Sequence, residues 1–295
     1  MSEERKWAGK THGTPWMHKA LIGMFKVLPL ELMYLIMALV IPFYMIFYRP
    51  GYTSIYHYLR RRQGWGSVRS FFGCYANHFL FGTALLDRFA SYAGRRFRTD
   101  MHNFNLFTDL TAQPEGFLMY TTHIGNPEIT GYMLRSDGKR MNVITFPGEK
   151  SSIRTWRENM LGPNNIRLIS ADDDMSWLFT LNAALADGEI VNIHADRSFG
   201  SPKTLEVSLL GAPAHLPLGP FSLAAMRNLP VLASFSLKAG IRKYNIFIYR
   251  LDTPEMAVMS REDRQQALAN AYAQLLEDVL HKHPLQWYNF YEFWN

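Results

Sequence analysis

Two residues with the right chemistry for proton transfer, His123 and Glu128, are separated by four positions. The apolar segment 117–120 before them predicts a buried strand. Asn126 followed by Pro127 predicts the start of a helix, which places His123 in the loop and Glu128 in the first helical turn. A carboxylate so placed can hold one imidazole nitrogen and leave the other to accept a proton. The alternative is a surface histidine followed by an ordinary first-turn acid.

Further polar residues that could bind a substrate come directly after later apolar segments. The predicted substrate-binding residues are Asn126, Lys150, Arg154, Asp196, Arg197 and Gly200. The carboxyl ends of parallel strands form the binding edge of an α/β sheet, so cations there can meet a phosphate or carboxylate. Arg197 suits a bidentate phosphate contact, with Asp196 fixing it in place. The alternatives are a solvated helix face for Lys150 and Arg154 and an internal ion pair for Asp196–Arg197, while His194 is more typical of a protein core.

These residues need a scaffold, and from Gly116 onward strand-like and helix-like segments alternate. Apolar segments predict strands at 117–121, 141–146, 166–169, 189–194, 204–210, 230–237 and 244–251. Helices are predicted at 127–136, 150–160, 174–187, 219–228 and 260–282. This alternation predicts an α/β fold with a mixed, largely parallel sheet flanked by helices. The aromatic segment 286–295 is too apolar to remain solvated, so we expect it to dock against the fold or a membrane.

The composition narrows the class of protein. The 295 residues suffice for a large core, and the 48% apolar and 14% aromatic shares indicate either an unusually rich core or a surface that contacts lipid. The net charge of +6 favours an anionic partner such as a phospholipid surface, a phosphorylated substrate or an acidic carrier protein. Nucleic acid is disfavoured, because the sequence contains no known module that binds it. Cys74 is the only cysteine, so a disulfide framework is excluded, and zinc, Walker, dinucleotide and GxSxG motifs are absent.

An apolar segment near the N-terminus predicts a membrane-anchoring or interfacial helix. Lys26 and Arg49 flank it, and its length approaches the roughly 20 residues that cross a bilayer. The arginines that follow it attract anionic lipid headgroups. The sequence therefore predicts a basic segment with a hydrophobic membrane anchor over 1–49 and a catalytic α/β domain over 50–295. Whether the anchor spans the bilayer or lies at its interface stays open.

The spacing of His123 and Glu128 matches the HX4(D/E) signature of the lysophospholipid acyltransferase superfamily. Glu instead of Asp at the second position of the signature is similar to the branch of late (lauroyl or myristoyl) acyltransferases of lipid A biosynthesis. That branch also has an N-terminal hydrophobic anchor. Arg154 resembles the arginine of the second conserved block, and Arg197 that of the third. The segments that carry this resemblance are ITFPGEKSSIR (144–154), ADRSFG (195–200), LLGAPAHLPLGP (209–220), LPV (229–231) and QWY (286–288).

The resemblance implies transfer of a fatty acyl chain from acyl carrier protein or coenzyme A to a hydroxyl of a lipid A precursor, at the cytoplasmic face of a bacterial inner membrane. His123 would be the general base and Glu128 its partner. Arg154 and Arg197 would hold a phosphate, and Asn126 or loop amides would stabilise the oxyanion. No metal or redox cofactor is expected, because the thioester is already activated. The alternatives are another acceptor (a lysophospholipid, an amino-acid lipid or a polyene pigment) and a non-catalytic lipid-binding protein.

Overall fold

Nine strands form the framework of the described chain, seven of them in one sheet. The computed structural model describes residues 14–134, 136, 138–145, 151–171, 176–198 and 203–294. The strands are β1 (Arg98–His102), β2 (Phe117–Thr121), β3 (Met141–Thr145), β4 (Ile166–Ser170), β5 (Ile190–His194), β6 (Thr204–Leu209), β7 (Ala212–Pro217), β8 (Val231–Gly240) and β9 (Lys243–Arg250).

The large sheet has the strand order β1-β9-β8-β2-β5-β3-β4, and β6 pairs with β7 in a separate hairpin. Neighbouring strands of the large sheet run parallel except for β8 and β9, which form an antiparallel pair. All five residues of β2 are buried, because β2 lies near the centre with β5 and β8 on its two sides. The predicted α/β fold with a mixed, largely parallel sheet is confirmed.

Helices cover the sheet, and several precede it in the chain. They are α1 (Pro15–Val27), α2 (Leu30–Phe47), α3 (Arg49–His57), a π-helix (Tyr58–Arg62), α4 (Ser67–Tyr92), α5 (Phe104–Thr111), α6 (Pro127–Met133), α7 (Ser151–Leu161), α8 (Ser176–Ala186), α9 (Leu218–Arg227) and α10 (Arg261–Lys282). Three short 3₁₀ segments complete the described helical structure: Gly162–Asn164, Pro254–Val258 and Pro284–Gln286. The helices predicted from Pro127 onward are all present, with ends that differ by a few residues.

Helix α2 is the described helix that is long and apolar enough to cross a bilayer, by its length and composition. One face of it packs along α4 through Leu30, Met33 and Tyr34, which are buried. Only 28% of the helix is buried, and large apolar side chains such as Phe47 cover its other face. A candidate membrane anchor is therefore packed against the α/β domain along one side and exposed along the other.

A buried polar cluster joins α2 to the sheet. Asp87 of α4 is fully buried and accepts hydrogen bonds from the hydroxyls of Tyr34 in α2 and Tyr244 in β9. Lys238 of β8 places its Nζ 2.5 Å from Asp87 Oδ2 and thereby balances the buried negative charge. A charge without this partner would be costly in such surroundings, so the cluster fixes how the candidate anchor sits on the domain.

The C-terminal segment docks against the fold, as the sequence predicts, and it does so beside the loop that follows β2. Gln286 bonds both backbone groups of Lys238, accepting its N–H at 2.8 Å and donating to its carbonyl at 3.0 Å. Gly125 donates its N–H to the Gln286 carbonyl at 2.8 Å, and Tyr288 donates to the His123 carbonyl at 3.2 Å. The tail is thus tied by backbone hydrogen bonds to the loop that carries His123.

Candidate active site

The pairing of two neighbouring strands brings His123 next to Asp196. Strands β2 and β5 are parallel, and their last residues, Thr121 and His194, are paired. Two residues further along each chain, His123 and Asp196 leave the same edge of the sheet. Asp196 Oδ2 accepts the backbone N–H of His123 at 2.9 Å, and its Oδ1 lies 2.9 Å from His123 Nδ1. Both carboxylate oxygens therefore hold the histidine.

This contact determines which nitrogen of His123 carries the proton. An ionised carboxylate only accepts hydrogen bonds, so the proton between the two groups belongs to Nδ1 of the neutral imidazole. The Nε2 atom then has a lone pair available for a proton. The His123 side chain is 32% exposed, so a substrate can reach it, whereas the Asp196 side chain is only 1% exposed. The pair has the form of a general base with a buried orienting carboxylate.

The charges around this pair keep both groups in the protonation state that a base requires. Burial lowers the pKa of His123 below its usual value, Arg197 lowers it further, and Asp196 only partly offsets both effects. Burial alone would raise the pKa of Asp196, but the attraction and hydrogen bond of His123, together with Arg197, hold it well below its usual range. At neutral pH the histidine is therefore neutral and the aspartate is charged.

The structure corrects the predicted partner of His123, because Glu128 makes other contacts. Its carboxylate is paired with Arg88 of α4 and with Arg157 of α7, the latter at 2.9 Å, and it accepts the hydroxyl of Tyr92 at 2.9 Å. Burial would raise the pKa of Glu128, but the two arginines outweigh burial and lower it. Glu128 lies in the first turn of α6 and faces the neighbouring helices, so Asp196 occupies the position predicted for it.

The structure also corrects the predicted oxyanion donors. The side-chain amide of Asn126 donates to the Ala84 carbonyl at 3.2 Å and to the Tyr244 hydroxyl at 3.4 Å, and it makes no capping bond to α6. The backbone N–H groups of His123, Ile124, Gly125 and Asn126 all have acceptors in this structure. Asn126 and these amides hold the loop in shape, and none of them is directed at a substrate.

His194, which the sequence suggested as a core histidine, lies beside His123. The two ring centroids are 4.6 Å apart with the planes tilted by 30°. Thr121 donates its hydroxyl proton to Asn192 at 3.0 Å, so it can only accept from His194 Nδ1, which lies 3.1 Å away. Burial and the neighbouring His123 lower the pKa of His194 to about 3, so it stays neutral. The sequence signal that could have placed His194 at the site is its position at the end of a predicted strand, two residues before Asp196.

The same three side chains have the composition of a metal site. Ligand atoms of His123, His194 and Asp196 lie within 4.8 Å of one another. However, Nδ1 of His123 is already bonded to Asp196, and Nδ1 of His194 is bonded to Thr121. A metal bound through Nε2 of the two histidines could leave both Nδ1 contacts in place, with Asp196 shared between His123 and the metal. The hydrogen bonds of the site are therefore compatible with a base held by its orienting carboxylate and also with a metal-ligating histidine.

Arg197 holds the C-terminal tail instead of forming an ion pair with Asp196. Its Nη2 donates to the Tyr288 carbonyl at 2.6 Å, and its guanidinium lies 5.7 Å from the ring centre of Tyr291. No ion pair between Arg197 and Asp196 is present in the described part of the chain, because both oxygens of Asp196 face His123. The internal ion pair was the alternative interpretation of these two residues, and the described contacts do not show Asp196 fixing Arg197 either. Arg197 links the end of β5 to the tail.

Replacing Arg197 with Lys is expected to lower the melting temperature, with a loss of about 1–2 kcal/mol of stability. A lysine ammonium keeps the charge but lacks the planar fork that reaches Tyr288 while facing the Tyr291 ring. Arg154→Lys is the matched control, because Arg154 is partly exposed and, among the described residues, pairs with Glu158 one turn along α7. The measurements are thermal melts and transfer kinetics on the same preparations of the two variants. An unchanged melt with a raised KM for one substrate would instead make Arg197 a substrate contact.

The other predicted binding residues are not brought to His123 by the described contacts. Arg154 pairs with Glu158 at 2.9 Å on an exposed face of α7. Lys150 and Gly200 lie outside the described residues. Arg157, one turn after Arg154, is the arginine of α7 that reaches inward, to Glu128. Spacing along a helix does not show which of two nearby arginines faces the domain, so the sequence pointed to Arg154.

Comparison with known proteins identifies the family. No curated protein matches the chain. The family model described as bacterial lipid A biosynthesis acyltransferase matches residues 78–295, which is well over half of the 295 residues and includes both His123 and Asp196. The chain belongs to the bacterial lipid A biosynthesis acyltransferase family.

Proposed function

We propose that the protein transfers a fatty acyl chain from the thioester of acyl carrier protein to a hydroxyl of a lipid A precursor. The observation that carries this proposal is the accessible His123, whose Nδ1 is held 2.9 Å from the buried Asp196. Membership of an acyltransferase family agrees with such a base. A non-catalytic lipid-binding protein would not need an accessible histidine that a buried carboxylate orients through Nδ1.

In the proposed reaction His123 Nε2 removes the proton of the acceptor hydroxyl while the hydroxyl oxygen attacks the thioester carbonyl carbon. The charge on the resulting imidazolium is stabilised by Asp196, which is already bonded to Nδ1. The tetrahedral intermediate then collapses, the carbon–sulfur bond breaks, and the imidazolium returns the proton to the leaving thiolate. The acceptor attacks directly, so no acyl-enzyme is formed.

We assign Glu128 a positioning role in this proposal. Its ion pairs with Arg88 and Arg157 join the start of α6 to α4 and α7, and α6 follows the His123 loop directly. Lys150 and Gly200 follow β3 and β5, neighbouring parallel strands whose carboxyl ends share the edge that carries His123. We therefore retain them as proposed contacts for a phosphate of the acceptor or of the carrier's phosphopantetheine.

The exposed apolar face of α2 supports a location at a membrane. A lipid acceptor resides in a bilayer, and acyl carrier protein is an acidic soluble partner that suits a chain with net charge +6. We propose that the domain sits on the cytoplasmic face of the inner membrane, with the exposed face of α2 in the lipid. Packing of the opposite face against α4 favours an interfacial position over an isolated span.

Lipid mass spectrometry tests the acceptor and the acyl chain together. Deleting the gene is expected to leave a lipid A precursor that lacks one acyl chain, and the wild-type gene should restore that chain while a His123→Ala gene should not. Unchanged lipid A accompanied by loss of an acylated lysophospholipid, amino-acid lipid or polyene would identify the acceptor as one of the alternatives. No change in any lipid would contradict the proposed activity.

A further inference from the structure

A polar cavity lies between the π-helix and the C-terminal tail, and His123 is not among the residues that line it. Its walls include His57, Tyr58, Arg61, Arg62, Asn289 and Trp294. The cavity is open to solvent on one side, so a ligand can enter it from outside. Neither the proposed mechanism nor the family resemblance uses these residues.

The charge of the cavity is positive. Arg61 is exposed and forms no hydrogen bond or ion pair with the described residues, and Arg62 lies over the Trp294 ring at 4.8 Å. Glu292 is the acid in the lining, and it is bonded to His57 Nδ1 at 2.8 Å. Two arginines therefore remain for an anion, and guanidinium groups are well matched to phosphate oxygens.

The tail supplies a buried polar group to the same cavity. Asn289 is only 3% exposed, and its Nδ2 donates to the Tyr291 carbonyl at 3.2 Å. Its Oδ1 is buried and has no hydrogen-bond partner among the described residues. A buried acceptor without a partner is costly unless a ligand satisfies it. A hydroxyl or N–H next to the phosphate of the ligand would do so.

The backbone that carries the arginines is unusual as well. Residues Tyr58–Arg62 form a π-helix, a rare widened turn that is frequent at functional sites. It is held firmly by α4, because a Cβ at Gly73 would lie 2.7 Å from Leu59 Cδ1. The arginines thus project from a turn that is packed in place, and this lowers the entropy cost of gathering two positive charges.

The chain segments on either side of the π-helix favour a membrane lipid as the source of the anion. Phe47, just before α3, is 84% exposed, and Phe72, near the start of α4, is 63% exposed. Between them along the chain, the Arg69 guanidinium lies 3.9 Å from the ring centre of Trp65. Tryptophan and arginine side by side between exposed phenylalanines are typical of the level of lipid headgroups.

We infer that the cavity between the π-helix and the C-terminal tail binds the phosphate of an anionic membrane lipid through Arg61 and Arg62, with Asn289 accepting from a neighbouring hydroxyl or amide. The adjoining residue Tyr288 is bonded to the His123 carbonyl, so a lipid held here stands close to the catalytic loop. This inference concerns binding and does not depend on the transfer reaction.

The test uses the full chain in a neutral detergent, titrated with dihexanoyl phosphatidylglycerol in a calorimeter. The wild type is expected to bind this probe saturably and more tightly than dihexanoyl phosphatidylcholine or inorganic phosphate. Arg61→Gln should weaken binding roughly 10-fold or more, which is the usual effect of losing a charge-assisted hydrogen bond. Arg61 is exposed, so this variant should keep the wild-type melt; Arg62→Gln is the second variant.

Arg60→Gln is the matched control, since Arg60 belongs to the same π-helix but donates to the Trp65 carbonyl at 2.6 Å and does not line the cavity. It should leave the affinity within roughly twofold. Equal weakening by Arg60→Gln and Arg61→Gln would reduce the effect to diffuse attraction and overturn the inference. Equal affinity for inorganic phosphate would also overturn it, as would variants that bind the lipid normally but lose affinity for acyl carrier protein. Because no step requires turnover, these outcomes are independent of whether transfer occurs.

Discussion

Replacing His123 with Ala is expected to remove nearly all acyl transfer from a protein that remains folded. His123 Nε2 is the atom proposed to take the proton of the acceptor hydroxyl, and positioned general bases contribute roughly 10²–10⁴-fold to rates. The side chain is about one third exposed and makes one side-chain hydrogen bond, to Asp196, so its loss should disturb the fold little. The measurement is release of free thiol from acyl carrier protein together with mass spectrometry of the acylated lipid.

His215→Ala is the matched control for this experiment, because His215 is an exposed histidine of the β6–β7 hairpin. The control should retain wild-type turnover. Both variants should melt close to the wild type, which separates loss of chemistry from loss of structure. Turnover by folded His123→Ala within a few-fold of the wild type would refute His123 as the base.

Local patterns in the sequence predict most of the sheet and the loop that carries His123. Apolar runs predict β2, β3, β4, β5, β6, β8 and β9, and Asn126-Pro127 predicts the start of α6. These signals are local, since burial of a strand and the first turn of a helix depend mainly on neighbouring residues. β1 and β7 are the exceptions. β1 reads RTDMH and has alternately exposed residues at the sheet edge, while the prolines of β7 resemble a loop.

Which carboxylate holds His123 depends on contacts that are distant in the sequence. Glu128 is five residues from His123, whereas Asp196 is 73 residues away. Asp196 lies next to His123 because β2 and β5 are neighbouring strands in which Thr121 is paired with His194. Neither the neighbour of a strand nor its register can be taken from apolar periodicity in one sequence. Parallel strands end at the same edge of a sheet, and this rule alone placed His123 and Asp196 at one edge. Local sequence patterns do not show that the two side chains are in contact.

The two carboxylates are expected to respond differently to removal of their charge. Asp196→Asn should lower transfer roughly 10²-fold or more, because the amide offers one acceptor oxygen to the two N–H groups of His123 that Asp196 accepts and carries no charge to stabilise the imidazolium. Glu128→Gln should mainly lower the melting temperature, because Arg88 and Arg157 would lose their shared anion. Transfer per folded molecule should change much less in Glu128→Gln, and both variants are isosteric, so each serves as the control for the other.

The pH dependence of transfer distinguishes the two carboxylates further. A general base works when it is unprotonated, so transfer should be lost as the pH falls through the pKa of His123, which burial places below its usual value. Asp196 raises that pKa, so Asp196→Asn should move the acid limb to still lower pH while reducing the plateau. Glu128→Gln should leave the limb where it is. If Glu128→Gln instead removed transfer with an unchanged melt, and Asp196→Asn retained it, then Glu128 would be the carboxylate that orients the base during turnover.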